Sequence, residues 1–70
     1  MTDYLVIYER NADGWWAYLP DVPGCTAAGD TRDEAEGNIR EALVAHFDLL
    51  RSNGSDVPQP VARDAGRVAV

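Results

Sequence analysis

Few residues of this sequence have the type and spacing that chemistry needs. Its one cysteine, Cys25, stands four positions after Asp21 in the turn Pro20-Asp-Val-Pro-Gly-Cys25. A thiolate nucleophile needs a nearby cation or histidine to lower its pKa, and this turn offers neither. Cys25 therefore reads as a small buried apolar residue where a strand starts. The one histidine, His46, falls in the middle of an apolar helical stripe. It reads as a packed residue near a helix C-terminus, where positive charge is tolerated; work as a general base would need an orienting partner. Twelve carboxylates raise the chemistry of a metal-dependent nuclease, with Asp21 and Asp30 at strand ends as the pair to consider. Both have structural uses, Asp21 in a turn and Asp30 just ahead of a helix cap. Gly24 and Gly29 belong to no phosphate-cradling loop. On these grounds no catalytic, metal-binding or cofactor-binding residue is assigned, and no cofactor is expected.

The aromatic residues Tyr4, Tyr8, Trp15, Trp16 and Tyr18 could stack on nucleic-acid bases, but such platforms lie in basic grooves. Here the net charge is −6, there is no lysine, and all six basic side chains are arginines. An acidic surface repels a phosphate backbone and suits a basic protein partner. Direct nucleic-acid binding is not expected. The aromatics are better used in the core and at a protein interface, where Trp and Tyr are enriched.

The elements that position these residues can be read in order. Tyr4-Leu-Val-Ile-Tyr8 is β-branched and aromatic, and predicts a strand over about residues 3–10. Asn11-Ala-Asp-Gly14 has hairpin turn chemistry. A returning strand follows over about 15–20 and stops at Pro20, which has no N–H to give the ladder. Val22-Pro23-Gly24 fits a type II turn, with glycine at the position that needs positive φ. Cys25 to Gly29 is short and small, and is expected as a third strand.

Thr31-x-x-Glu34 is a capping box that opens a helix over about 32–51, and Ser52-Asn-Gly54 stops it. The helix carries an apolar stripe of Ala35, Ile39, Ala42, Leu43, His46, Phe47 and Leu50. Its opposite face holds Asp33, Glu34, Gly37, Arg40, Glu41, Asp48 and Arg51, and Glu36 and Arg40 form an i, i+4 pair. Gly37 inside the helix costs about 1 kcal/mol relative to alanine, and marks either a close contact or ordinary drift. A proline-containing linker spans 53–60, and Arg67-Val-Ala-Val70 is expected as a last edge strand over 66–70. The fold class is α+β: a three- to four-stranded antiparallel-type sheet with one helix on one face, in the order β-β-β-α-β, all in one domain over 1–70.

Both hairpin strands are apolar on both faces, whereas a sheet with one face in water should alternate. One helix covers one face. The other is expected to meet a second subunit or another protein, unless the tail folds over it. A chain of 70 residues buries only roughly 60% of its extended surface, and this one has no disulfide or zinc site to staple it. A homo-oligomer, at least a dimer, is therefore expected, with Tyr4, Val6, Tyr8, Trp16 and Tyr18 as its interface. No apolar run is long enough to span a membrane, Asp3 is wrong for a signal peptide, and the lone cysteine suits a reducing cytoplasm.

Taken together, the chain resembles the HicB-like antitoxin family. The features that carry the resemblance are Tyr4 to Gly14, then Trp15-Trp-Ala-Tyr-Leu-Pro-Asp-Val-Pro-Gly-Cys25, then Gly29-Asp-Thr31 with Glu34-Ala35, and the closing Val57-Pro-Gln-Pro60. The resemblance implies a reduced RNase H-like domain that neutralises a small basic ribonuclease toxin of the HicA type by covering its active site. It further implies dimers or larger assemblies, and no enzymatic role, since a nuclease-like fold does not by itself confer activity. Many relatives continue into a C-terminal DNA-binding domain, which is not expected within these residues. The toxin contacts expected are Asp21, Pro23 and Gly24 in the turn, with Glu34, Glu41, Val44 and Asp48 on the outer helix. The alternatives are a free-standing oligomeric regulator of the same fold with no toxin, and a metal-dependent nuclease.

Overall fold

The structure, a computed structural model, describes residues 2–70. Three strands form one antiparallel sheet in the order β1-β2-β3: β1 is Ile7–Asn11, β2 is Gly14–Tyr18 and β3 is Thr26–Gly29. A single helix, α1, runs Arg32–Ser52 across it. The expected α+β class and element order hold up to the helix.

The hairpin sets the register. Only Ala12 and Asp13 lie between the paired residues Asn11 and Gly14, so Tyr8 meets Ala17 and Glu9 meets Trp16. Asn11 Oδ1 accepts from the Asp13 N–H at 2.9 Å, closing the turn from its own side chain. Gly14 takes φ 137°, and a Cβ there would stand 2.6 Å from the Gly29 carbonyl oxygen. Directly paired residues point to the same side of a sheet. Tyr8, Trp15, Ala17 and Ala27 therefore share one face, and Ile7, Glu9, Trp16, Tyr18, Thr26 and Ala28 share the other.

The helix takes the first face. Buried between the layers are Ala17, Leu19, Val22, Cys25, Ala35, Ile39 and Phe47. Tyr4, Val6, Tyr8, Trp15, Ala27, Ala42, Leu43, Leu50 and Val57 pack around them. Every residue of the predicted helical stripe lies on this side, half-buried or buried. At its start, Thr31 Oγ1 accepts from the Glu34 N–H at 3.1 Å, the expected cap. Of the two readings of Gly37, the close contact does not hold, and the close approach belongs to Gly29. A Cβ on Gly37 would meet nothing within 4 Å, while one on Gly29 would stand 2.6 Å from Ala35 N and 2.7 Å from Glu34 Cβ.

Two features differ from expectation. β1 starts at Ile7 rather than near residue 3, because residues 2–6 have no strand opposite them: β2 ends at Tyr18, just before Pro20. The last edge strand over 66–70 does not form, and Val68 and Val70 are fully solvent-facing. The chain beyond Ser55 has no regular structure and is tied down by contacts of another kind. Val57 packs on the core, the Tyr4 hydroxyl donates to the Pro58 carbonyl, and Asp21 Oδ2 accepts from the N–H groups of Val61 and Ala62 at 2.8 and 2.9 Å.

Candidate functional site

The turn that joins β2 to β3 brings Asp21, Pro23, Gly24 and Cys25 together, and each side chain has a structural duty. Gly24 has φ 85°, and the Cys25 N–H donates to the Val22 carbonyl at 3.2 Å, which matches the type II turn predicted. Pro23 and Gly24 are exposed at its tip, while Val22 and Cys25 point into the core. Burial pushes the Cys25 thiol above its usual pKa, the reverse of what a nucleophile needs. Asp21 serves the tail, holding two backbone N–H groups that would otherwise lack protein partners. Sequence reasoning missed this role, because its partners lie 40 and 41 residues away.

The remaining chemical candidates are dispersed. Asp30 follows Gly29, which pairs with Trp15, whereas Asp21 follows the other end of β2 beyond Tyr18. The two carboxylates thus belong to opposite ends of the sheet. Among the described residues no group of three or more His, Cys, Asp or Glu side chains is placed to hold a metal ion. His46 is half-buried in the stripe, its ring centroid 6.4 Å from that of Phe47. The aromatic pair that builds the far end of the core is Tyr4 and Phe47, edge to face at 5.3 Å.

Two surfaces that could meet another macromolecule face opposite ways. On the helix's outer side, Glu34, Glu41 and Asp48 recur every seven residues and are exposed, with Val44 beside them at 57% exposure. The ion pairs near them, Arg40 with Glu36 at 3.9 Å and Arg51 with Asp48 at 3.7 Å, are exposed and of small energetic weight. On the far side of the sheet, among the described residues, no helix or strand covers Ile7, Trp16 and Tyr18. Trp16 is 37% exposed there, directly across from the Glu9 carboxylate.

The five residues expected to form one oligomer interface are divided between these layers. Tyr4, Val6 and Tyr8 pack on the helix side, and Trp16 and Tyr18 lie on the open face. The two-residue hairpin loop is the cause, since it pairs even-numbered residues of β1 with odd-numbered residues of β2. A surface needs all its members on one side, so these five cannot act as one. Tyr8 is further engaged by Arg32, whose guanidinium carbon lies 4.1 Å from the ring centroid.

Comparison with known proteins gives a consistent picture. A family model described as HicB_like antitoxin of bacterial toxin-antitoxin system matches residues 4–67. The chain is similar to Antitoxin HicB 2 of Photorhabdus laumondii, with 34% identity over 67 residues, covering 96% of this chain and 48% of that protein. It therefore spans about half the length of that relative. A UPF0150 protein of Thermoplasma acidophilum is 34% identical over 62 residues, covering 87% of this chain and 90% of its own length. Among solved structures, a chain of the HicA3 and HicB3 toxin-antitoxin complex superposes with a TM-score of 0.74 at 30% identity, covering 86% of this chain and 70% of that one. No helix among the described residues is long and apolar enough to cross a membrane.

Proposed function

The chain belongs to the HicB-like antitoxin family, and from that premise we propose that it is an antitoxin module. It binds a small basic ribonuclease toxin of the HicA type and neutralises it by covering the toxin's active site. The observation that carries this reading is the likeness to a chain solved within a toxin-antitoxin complex. Two physical features support it. The net charge of −6 favours capture of a basic protein, and among the described residues no helix or strand covers the sheet face on which Trp16 is 37% exposed. The role is one of binding, without catalysis: Asp21 is committed to the tail and Cys25 to the core. The module works in the cytoplasm, where its target acts, and assembles at least as a dimer.

The test is co-expression. A HicA-type toxin encoded in the neighbouring reading frame is induced with and without this chain, and growth is followed. Growth arrest by the toxin alone, relieved by the chain, is the expected result. Arrest that persists with the chain well expressed rejects the antitoxin role. A free-standing regulator is favoured by one observation, the near full-length match to the Thermoplasma acidophilum protein. That reading requires a genome neighbourhood with no small basic partner.

A further inference from the structure

The sequence points to the turn and the outer helix as the partner's landing site, but the open sheet face fits a basic protein better. We propose that the toxin docks on this face, with one of its arginine or lysine side chains set against the Trp16 indole and paired with the Glu9 carboxylate. This inference rests on the antitoxin reading above.

Interface centres are apolar and aromatic, with charge at the rim. The outer helix offers a row of carboxylates flanked by two separate exposed apolar residues, Val44 and Leu49. Such a row steers a basic partner during approach but supplies little of the affinity. The sheet face has Ile7, Trp16 and Tyr18 adjacent by register, and Trp16 is of the type that dominates binding energies. Glu9 lies directly across from Trp16. Cross-strand partners hold their Cβ atoms about 5 Å apart, so one cation can touch both the ring and the carboxylate.

Charge also decides between occupants. No arginine of the strands or the helix lies on this face: Arg10 pairs with Trp15 on the helix side, and Arg32, Arg40 and Arg51 belong to α1. A second copy laid face to face would bury the Glu9 carboxylate with no cation to meet it, which is strongly unfavourable. A nucleic acid would bring phosphates toward Glu9, Asp13 and Asp30, the acids on and beside the face. A basic protein brings what the face lacks.

The experiment titrates the purified neighbouring-frame toxin into the full chain and measures Kd for wild type, Trp16→Ala, Glu9→Arg and Thr26→Arg. Thr26→Arg removes no contact and adds a cation to the face. Thermal melts establish that each variant folds. Trp16→Ala and Glu9→Arg are expected to weaken binding by about 30-fold or more, the scale of interface hot spots, and Thr26→Arg by repulsion in the same direction. Glu41→Arg and Asp48→Arg probe the rival surface. Folded face variants that bind like wild type, with the loss found instead at Glu41 and Asp48, overturn this surface and leave the antitoxin reading standing. Wild type that fails to bind overturns both. A change in the mass of the free chain on Trp16→Ala assigns the face to self-association and likewise overturns the proposal.

Discussion

Gly29 is where the two layers come nearest, and replacing it with alanine isolates that contact. An added Cβ would stand 2.6 Å from Ala35 N, 2.7 Å from Glu34 Cβ and 2.9 Å from Glu34 C. Two of these are helix backbone atoms, which cannot swing aside as the end of a flexible side chain can. The first turn of α1 must lift off β3, and the Asn38 bond to the Ala28 carbonyl, 2.7 Å long, is strained with it. Overpacking of this kind costs about 1–3 kcal/mol, and rigid neighbours put it in the upper part of that range. The residue's φ is not in the left-handed region, so alanine also restricts the unfolded chain and returns about 0.4–1 kcal/mol. The net loss is about 2 kcal/mol, from a total that for this length is about 4–10 kcal/mol. In a domain this small it lowers Tm by about 8–16 °C. Gly37→Ala is the control. With nothing within 4 Å of its Cβ, it should stabilise by about 0.5–1 kcal/mol through helix propensity. Paired thermal melts by far-UV circular dichroism read both. A Gly29→Ala protein that melts with wild type, or a Gly37→Ala protein that falls as far, refutes the account.

Two further outcomes follow from the turn between β2 and β3. Asp21→Ala leaves the N–H groups of Val61 and Ala62 without their acceptor. Amide exchange at those residues should accelerate and protease sites in the tail should open, while the helix amides keep their protection; unchanged exchange at both residues counts against the clamp. Cys25 is free and buried, with its pKa raised by burial, so thiol reagents at pH 8 should label it on the order of 10² times more slowly in the native chain than in denaturant. Because the folded thiol holds its proton longer than the unfolded one, its contribution to stability is complete below the unfolded pKa of about 8.5 and declines as pH rises above it. Wild type should therefore lose more stability than Cys25→Ala between pH 8 and 10, and parallel pH curves would contradict this.

Local signals in the sequence carried far into the fold. The Thr31 cap, the Val22-Pro-Gly-Cys25 turn and the buried stripe from Ala35 to Leu50 all rest on interactions within a few residues, and the structure has each of them. What escaped was set by partners distant in the chain. Which faces of β1 and β2 coincide depends on a single integer, the hairpin loop length, and an error of one residue moves every side chain across the sheet. Gly29 and Gly37 look alike as letters, and only the docking of α1 on β3 tells a close approach from open space. The tail has strand composition at Arg67-Val-Ala-Val70, but the Asp21 clamp and the Tyr4 hydroxyl fix residues 58–62, so local propensity there has no ladder to join.

Charge patterns also indicate where two copies would meet. A symmetric dimer brings a patch against itself, so that patch must be complementary to its own image. The outer helix cannot be fully so, since its acids Glu34, Glu41 and Asp48 outnumber Arg40 and Arg51, which already pair with Glu36 and Asp48. The open sheet face cannot be, since Glu9 has no cation to meet. Between the N-terminal segment and α1 runs a groove of a different kind. Its floor is apolar, built from Tyr4, Val6, Tyr8, Ile39 and Leu43, and its rim carries Asp3 and Glu36 together with Arg40 and Arg51. Val44 lines it at both ends, and β1 beside it is an edge strand with one partner only. Mixed charge around an apolar floor suits a two-fold contact, and three of the residues expected at the oligomer interface, Tyr4, Val6 and Tyr8, lie in it. Val44→Glu places a carboxylate in the groove without disturbing the core. It should convert the dimer to a monomer in light scattering, whereas Trp16→Ala should leave the free chain's mass unchanged. A dimer that survives Val44→Glu, or a wild type whose mass is that of a monomer at every concentration, removes the groove as the seam.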